Sequence, residues 1–167
     1  GRLLSPAIED GRVDLGATWF WANEQRITTL IGRSDLASFA QHIDGDMMYQ
    51  PDSGGSQRVQ GNQLGTPSGR LASGMQSVPE LLAASLPSDS IRLSTEVTSV
   101  HLENNQLVVA TTDSTWAAQH VVIALPPALA MAHVDFGDAL SEHVASVARA
   151  TPVWMGSTVK VVAVYER

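Results

Sequence analysis

Apolar and polar positions form three consecutive strand-like runs in the second half of the chain. These segments are VTSVHLENN from Val97, QLVVATTDS from Gln106 and TWAAQHVVIA from Thr115. Asn104-Asn105 and Asp113-Ser114 separate them, and Asn and Asp tolerate the positive φ angles that two-residue hairpin turns require. The pattern therefore predicts a three-stranded β-meander within Glu96 to Ala124.

The third segment ends in an apolar run that two prolines interrupt. Val121 to Ala124 has the continuous hydrophobicity of a strand buried on both faces, and Pro126 and Pro127 cannot continue a sheet. Ligands of open α/β sheets bind beside strand ends of this kind. Taken alone, the pattern is more typical of a buried strand followed by a tight turn.

Other segments predict helices and a second group of strands. Helical spacing of apolar residues covers Glu24–Ile31, Ser34–Ile43, the stretch from Ser77 to Leu86, and Ala139–Ala150. Met47–Gln50 and Thr158–Tyr165 have the composition of strands, and we expect them to share a second sheet. The predicted fold class is α+β, with a mixed sheet and helices in one region and the meander in another.

Composition and charge narrow the possible functions. The 167 residues carry a net charge of −7 and no cysteine, which excludes disulfides and thiolate chemistry. The chain has no basic cluster, so nucleic acid and anionic membranes are not expected partners. It also has no apolar run that could span a membrane and no secretory leader, which is compatible with a cytoplasmic protein. The five histidines are scattered, so no metal site is expected.

Two short stretches could approach a ligand closely. Small residues at Gly16-Ala17-Thr18 let a neighbouring backbone or a ligand come near. Trp19 to Trp21 follow, and three aromatic residues form either a core plug, the more common case, or the wall of a pocket for a flat ligand. Gly74-Met75 lies at a predicted helix entrance, where backbone N–H groups are free.

Lys160 is an unusual residue for its position. In the predicted strand it alternates in line with Val162 and Val164, so its amine must snorkel to solvent, pair with another group or face a cavity. Snorkelling is the more common outcome for such a lysine.

The order of these motifs resembles the flavin-containing amine oxidases, the monoamine and polyamine oxidase family. Gly1-Arg2 is similar to the end of that family's Gly-Gly-Arg motif, and VDLGATWFW is similar to its Asp-Leu-Gly-Gly/Ala-x-Trp/Tyr segment. The other matching segments are ASGMQSVPELLAASLP, Glu96-Val97 with VVIALPP, and TPVWMGSTVKVVAVYE. The resemblance covers essentially the whole chain, and it favours the ligand-facing interpretation of Gly16, Trp19 and Lys160.

The resemblance is incomplete at both ends. The family's N-terminal strand–GxGxxG–helix unit and its C-terminal flavin-covering segment have no counterpart here, so we expect an internal fragment. The implied domain organisation assigns 1–22 to a remnant of the FAD domain, 23–90 and 131–167 to the substrate-binding region, and 91–130 to the meander and strand of the FAD domain.

The resemblance implies a parent enzyme that oxidises an amine C–N bond to an imine. FAD takes the hydride equivalent, and dioxygen then reoxidises the flavin with release of peroxide. The partners would be a small amine and dioxygen, and we expect the isolated fragment to lack FAD and activity. Two alternatives stay open: an FAD desaturase or isomerase of the same fold, and a non-catalytic binding module derived from the oxidase.

The resemblance also implies roles for individual residues. Lys160 would be the catalytic residue that holds a water near flavin N5. The implied cofactor-binding residues are Arg2, Gly16, Ala17, Thr18, Trp19, Gly74, Met75, Val97, Ala124, Leu125 and Pro126. Trp21 and Trp154 would line the substrate pocket.

Overall fold

The computed structural model describes residues 2–9, 11–61, 67–153 and 158–165. In these residues helices and small antiparallel sheets are mixed, which confirms the predicted α+β class. The chain divides into two compact units, Gly1–Ser88 with Lys160–Arg167, and Asp89–Val159.

The first unit contains seven short strands and two helices among its described residues. They are β1 (Ala7–Ile8), β2 (Gly11–Arg12), β3 (Phe20–Trp21), α1 (Gln25–Gly32), β4 (Ser38–Ala40), β5 (Met47–Tyr49), β6 (Gln57–Val59), β7 (Ser68–Leu71) and α2 (Ser77–Ala84). Strands β3, β7 and β4 form an antiparallel sheet with β7 in the centre, while β1 pairs with β2 and β5 with β6. The apolar stripe of α1 turns Ile31 toward Leu71, Met75 and Val78, and these four residues form the buried core.

The second unit is built on the meander, as its sequence predicts. Strands β8 (Val97–Glu103), β9 (Gln106–Thr111) and β10 (Thr115–Ala118) form one antiparallel sheet with β9 in the centre. Asn104 and Asn105 have φ angles of 47° and 65°, and Glu103 pairs directly with Gln106. The two-residue turn therefore has the positive φ angles that favour Asn at both positions.

Two helices complete the second unit, α3 (Pro127–His133) and α4 (Glu142–Ala150), with a single 3-10 turn at Gly137–Ala139 between them. Val134 and Phe136 bring apolar side chains from this part of the chain onto Val100 of β8, and Ala130 of α3 completes the core. Asp135 lies beside β8, where its N–H donates to the Thr98 carbonyl at 2.9 Å and its carbonyl accepts from Val100 at 2.8 Å.

Two predicted strands are absent from the structure. Val121–Ala124 is not paired with any described strand, and Val122 is 88% exposed, so the prediction of a buried strand here is wrong. Thr158–Tyr165 forms no strand either, and Met47–Tyr49 pairs with Gln57–Val59 instead. Both predictions failed for the same reason: composition indicates what a segment can do, whereas a strand forms only where a partner supplies hydrogen bonds.

Helix predictions were also corrected by tertiary pairing and by capping. Part of the predicted helical segment Ser34–Ile43 is strand β4, because Ser38–Ala40 pairs along β7. The last helix begins at Glu142 and not at Ala139, since the Ser141 hydroxyl caps it by accepting from the Val144 N–H. Helix α3 was not predicted, although Pro127 at its first position is a typical helix start.

Candidate functional site

The Lys160 side chain is anchored at its amine end. Its Nζ donates to the carbonyl oxygen of Gly16 at 3.1 Å and to the hydroxyl of Thr18, and it lies 5.4 Å from the centre of the Trp19 ring. Of the three outcomes open to this lysine, the structure shows pairing with polar groups beside an aromatic face. The contacts join Lys160 to a segment more than 140 residues earlier in the chain.

Burial of this amine lowers the pKa of Lys160 below its ordinary value of 10.5. The residue as a whole is exposed, so the effect comes from partial desolvation of the tip, which lies against Gly16 and Thr18. The negative charge of Asp14 acts in the opposite direction, and the positive charge of Arg70 adds to the lowering.

Gly16 lies where a side chain would not fit. A Cβ atom on Gly16 would stand 2.2 Å from the Arg2 carbonyl oxygen and 2.9 Å from the Leu4 N atom. The same Arg2 carbonyl accepts from the Ala17 N–H at 3.0 Å. The close approach predicted for this small-residue turn is therefore made by the chain's own N-terminal segment. The Gly16 carbonyl accepts from the Thr18 hydroxyl at 3.2 Å as well as from Lys160.

The three consecutive aromatic residues have separate places. Phe20 packs on the core and covers Gly69, so it is the core plug. Trp19 is 47% exposed beside Lys160, and its indole N–H donates to the Gln41 side chain at 2.9 Å. Trp21 lies in β3 and lines a different cavity with Asn23 and Pro67, so the structure does not bring it to Lys160.

Asp14 and Arg70 belong to the site but were not predicted from the sequence. Asp14 is only 2% exposed, and its Oδ1 accepts from the Ser5 hydroxyl at 2.6 Å and from the Met75 N–H at 2.8 Å. Arg70 Nη2 lies 3.6 Å from Asp14 Oδ2. The signal was a charged residue next to apolar neighbours in each case, in VDLG for Asp14 and in SGRL for Arg70.

A cavity of about 490 Å³ joins these groups within the first unit. Its wall consists of charged, polar and aromatic side chains from distant parts of the sequence together with the last described segment. The lining residues are Val13, Asp14, Thr18, Trp19, Gln41, Arg70, Lys160, Val162, Ala163, Val164 and Tyr165. The arrangement offers cationic and hydrogen-bonding groups next to an indole face.

The entrance of α2 contacts this site through Asp14. Gly74 has φ of +75°, and a Cβ there would stand 2.6 Å from the Ser5 Cβ. The Met75 N–H donates to Asp14, and the Gln76 N–H donates to the Ser5 hydroxyl at 3.1 Å. These N–H groups, expected to be free, thus donate within the chain, and the Met75 side chain lies in the core.

The remaining predicted residues lie elsewhere. Arg2 is exposed and contributes its carbonyl to the Gly16 turn. In the second unit, Val97 begins β8, Ala124 and Leu125 are exposed, and Pro126 precedes α3. Trp154 lies outside the described residues.

Two features are absent from the described ranges. Within 2–9, 11–61, 67–153 and 158–165, no three His, Cys, Asp or Glu side chains come together as a metal site. Over the same ranges, no helix has the length and apolar character needed to cross a membrane.

Comparison with known proteins identifies the class. Residues 50–167 match the family described as flavin containing amine oxidoreductase, which is more than half of the chain, and the chain therefore belongs to that family. No curated protein matches it in sequence.

Solved structures share its fold. A putrescine oxidase bound to putrescine superposes with a TM-score of 0.71 at 13% identity. Cyclohexylamine oxidase from Brevibacterium oxydans IH-35A superposes with a TM-score of 0.74 at 12% identity. Each match covers 89% of this chain and 55% of the solved chain, so the chain spans about half the length of these structures.

Proposed function

We propose that the protein containing this chain is an FAD-dependent amine oxidase. It oxidises the C–N bond of a small amine to an imine, and dioxygen is the final electron acceptor, with release of peroxide. Membership of the flavin containing amine oxidoreductase family supports an oxidoreductase that uses flavin. The neighbouring putrescine and cyclohexylamine oxidases support an amine as the substrate class.

The anchored amine of Lys160 is the observation that carries this proposal. A lysine that only snorkelled would extend into solvent, whereas this one returns to Gly16 and Thr18 beside the Trp19 ring. Its three N–H donors exceed what two acceptors require, so one stays available to a water or a ligand in the cavity. The lowered pKa of Lys160 suits a residue whose amine works while partly removed from water.

The residues around the cavity fit a flavin. A flavin ring is a flat apolar surface with hydrogen-bond donors and acceptors along its edges, and the exposed face of Trp19 offers a matching plane. Arg70 Nε is buried and has no hydrogen-bond partner among the described residues, so a donor is available on the same wall. FAD, when bound, supplies the acceptor for the hydride equivalent.

In this proposal the chain's own residues have distinct tasks. Lys160 holds a water in place and contributes positive charge, Thr18 and the Gly16 carbonyl fix the direction of its amine, and Trp19 gives the ring a surface to pack against. The domain roles are proposed as well: residues 1–22 and 91–130 belong to the FAD-binding part, and 23–90 and 131–167 to the substrate-binding part.

The test is Lys160→Met in the flavin-loaded protein that contains this chain. Methionine keeps most of the side-chain volume but removes the donors that hold the water. We expect flavin reduction by substrate or flavin reoxidation by dioxygen to slow by about a hundredfold, equivalent to ~3 kcal/mol of barrier. Anaerobic stopped-flow mixing with an amine, followed by mixing with oxygenated buffer, measures the two half-reactions separately.

Arg58→Met is the matched control, because Arg58 is an exposed cation of the same unit that pairs with Asp46. It should leave both half-reactions within a few-fold of wild type. If Lys160→Met also leaves both unchanged, the lysine has no part in the chemistry. A wild-type flavin that amines do not reduce would reject the oxidase itself.

A further inference from the structure

Asp14 is the most deeply buried charged side chain of the first unit's described residues, and one of its two oxygens is fully used. Its Oδ1 accepts from the Ser5 hydroxyl at 2.6 Å and from the Met75 N–H at 2.8 Å. The Ser5 hydroxyl in turn accepts from the Gln76 N–H, and the Ser5 N–H donates to the Gln76 side chain at 2.8 Å. These bonds hold the carboxylate rigidly between the N-terminal segment and the start of α2.

The other oxygen faces the Arg70 guanidinium. Asp14 Oδ2 has no hydrogen-bond partner among the described residues, and Arg70 Nη2 lies 3.6 Å away, beyond hydrogen-bond length. The Arg70 guanidinium is held over the Phe39 ring at 5.7 Å, so it cannot follow Asp14 freely. Positive charge nearby stabilises a carboxylate this deeply buried, and the other cation on the cavity wall is Lys160.

We propose that Asp14 is a positioning residue for Lys160, whose anchored carboxylate holds the lysine amine in its charged form while Arg70 opposes it. This role rests on the proposed oxidase function only for the catalytic use of the Lys160 charge. Asp14 itself touches neither substrate nor cofactor in this scheme. It acts through Lys160 and at the same time holds the Gly74-Met75 turn.

The charges of Asp14 and Arg70 shift the pKa of Lys160 in opposite directions. Burial lowers the pKa of Lys160, the Asp14 charge raises it, and the Arg70 charge lowers it. The other titratable group on the cavity wall is Tyr165. Removing the Asp14 charge should therefore lower the Lys160 pKa further, and removing the Arg70 charge should raise it toward 10.5.

The effect on folding follows from the same shift. Because the pKa of Lys160 is lower in the folded state, the unfolded state binds more protons between that lowered pKa and 10.5. Stability therefore rises with pH across this window, and the cost of the buried ammonium is fully present below it. Asp14→Asn should lower the folded-state pKa of Lys160 and so widen this pH range at its lower end. Arg70→Gln should raise that pKa and so narrow the range.

The chain offers a direct measurement, because Lys160 is its one lysine. The full 167-residue chain, labelled with lysine carrying ¹³C at Cε, gives one lysine signal, and titrating its chemical shift reports the Lys160 pKa without flavin or substrate. Asp14→Asn and Arg70→Gln are compared with wild type. Asp46→Asn is the control, since it makes the same charge change at an exposed carboxylate that pairs with Arg58.

We expect the titration midpoint of Lys160 to be lower in Asp14→Asn than in wild type, higher in Arg70→Gln, and unchanged in Asp46→Asn. Equal midpoints in Asp14→Asn and wild type, both folded by circular dichroism, would overturn the proposal. If Asp14→Asn fails to fold, Arg70→Gln decides. An upward shift of the Lys160 midpoint supports the electrostatic coupling of Lys160 to Asp14 and Arg70, and an unchanged midpoint rejects it.

This readout is independent of turnover. A Lys160 titration midpoint that responds to Asp14, combined with a wild-type flavin that amines do not reduce, would keep the effect of Asp14 on Lys160 and reject the oxidase. The reverse combination would keep the oxidase and reject the role of Asp14.

Discussion

The meander of the second unit and the Lys160 site of the first unit are assembled in opposite ways. Strands β8 to β10 follow one another within Val97–Ala118, and each pairs with the next through a short turn. The Lys160 site brings together Asp14, Arg70 and Lys160, and the bond from Lys160 to Thr18 joins residues 142 positions apart. Neighbouring residues can specify the first region, whereas the second exists only after distant segments have met.

The difference predicts where mutations act. In the meander a change should affect a turn or a strand pair and nothing further away. In the Lys160 site a small change at a point of close approach should disturb the whole assembly, because several segments share it.

Gly16→Ala should have the largest effect. Its new Cβ would stand 2.2 Å from the Arg2 carbonyl oxygen, which is backbone and cannot rotate away. We expect a loss of about 2–3 kcal/mol in the free energy of unfolding, measured by urea titration. Gly32→Ala is the control: a Cβ there meets nothing within 4 Å at the end of α1, so stability should stay level or rise by up to about 1 kcal/mol. Similar losses in both variants would contradict the close packing at Gly16.

Asn105→Ala tests the local character of the meander with a smaller effect. Asn105 has φ of 65°, which costs alanine about 1 kcal/mol, and Asn105→Gly should restore or slightly improve stability. The measurement is again the free energy of unfolding. Asp113→Ala, in the turn between β9 and β10, should stay within about 0.5 kcal/mol, because Asp113 has no positive φ. A larger loss at Asp113 than at Asn105 would contradict the importance of the positive φ angle at Asn105.

The smallest expected effect concerns a local feature of the first unit, the hairpin of β5 and β6. The Gly61 N–H and the Arg58 side chain bond to Asp46 and lower its pKa from 3.8. A lowered carboxyl pKa means that its stabilisation is present above 3.8 and is lost as pH falls through the lowered pKa. Stability curves of wild type and Asp46→Asn should therefore converge in acid; a difference that does not depend on pH would refute this assignment.

Residues that a single segment specifies were predictable. Asn104-Asn105 indicated the turn between β8 and β9, and the glycine at Gly16 indicated a close approach, although not the partner that makes it. Asp14 and Arg70 escaped notice because a lone charge beside apolar residues is ordinary on a surface. Only their placement on one cavity wall with Lys160 gives them a function.

The sequence by itself determined the α+β class, the meander and its first turn, and the motif order that identifies the flavin amine oxidase family. These depend on periodicity, turn chemistry and short motifs, which act over a few residues. Tertiary structure alone decided that Ser38–Ala40 is a strand along β7, that Val121–Ala124 pairs with no strand of the described residues, and that the Lys160 amine returns to Gly16 and Thr18. Strand pairing and the anchoring of a charge both require a group from elsewhere in the chain, and no local pattern records where that group will be.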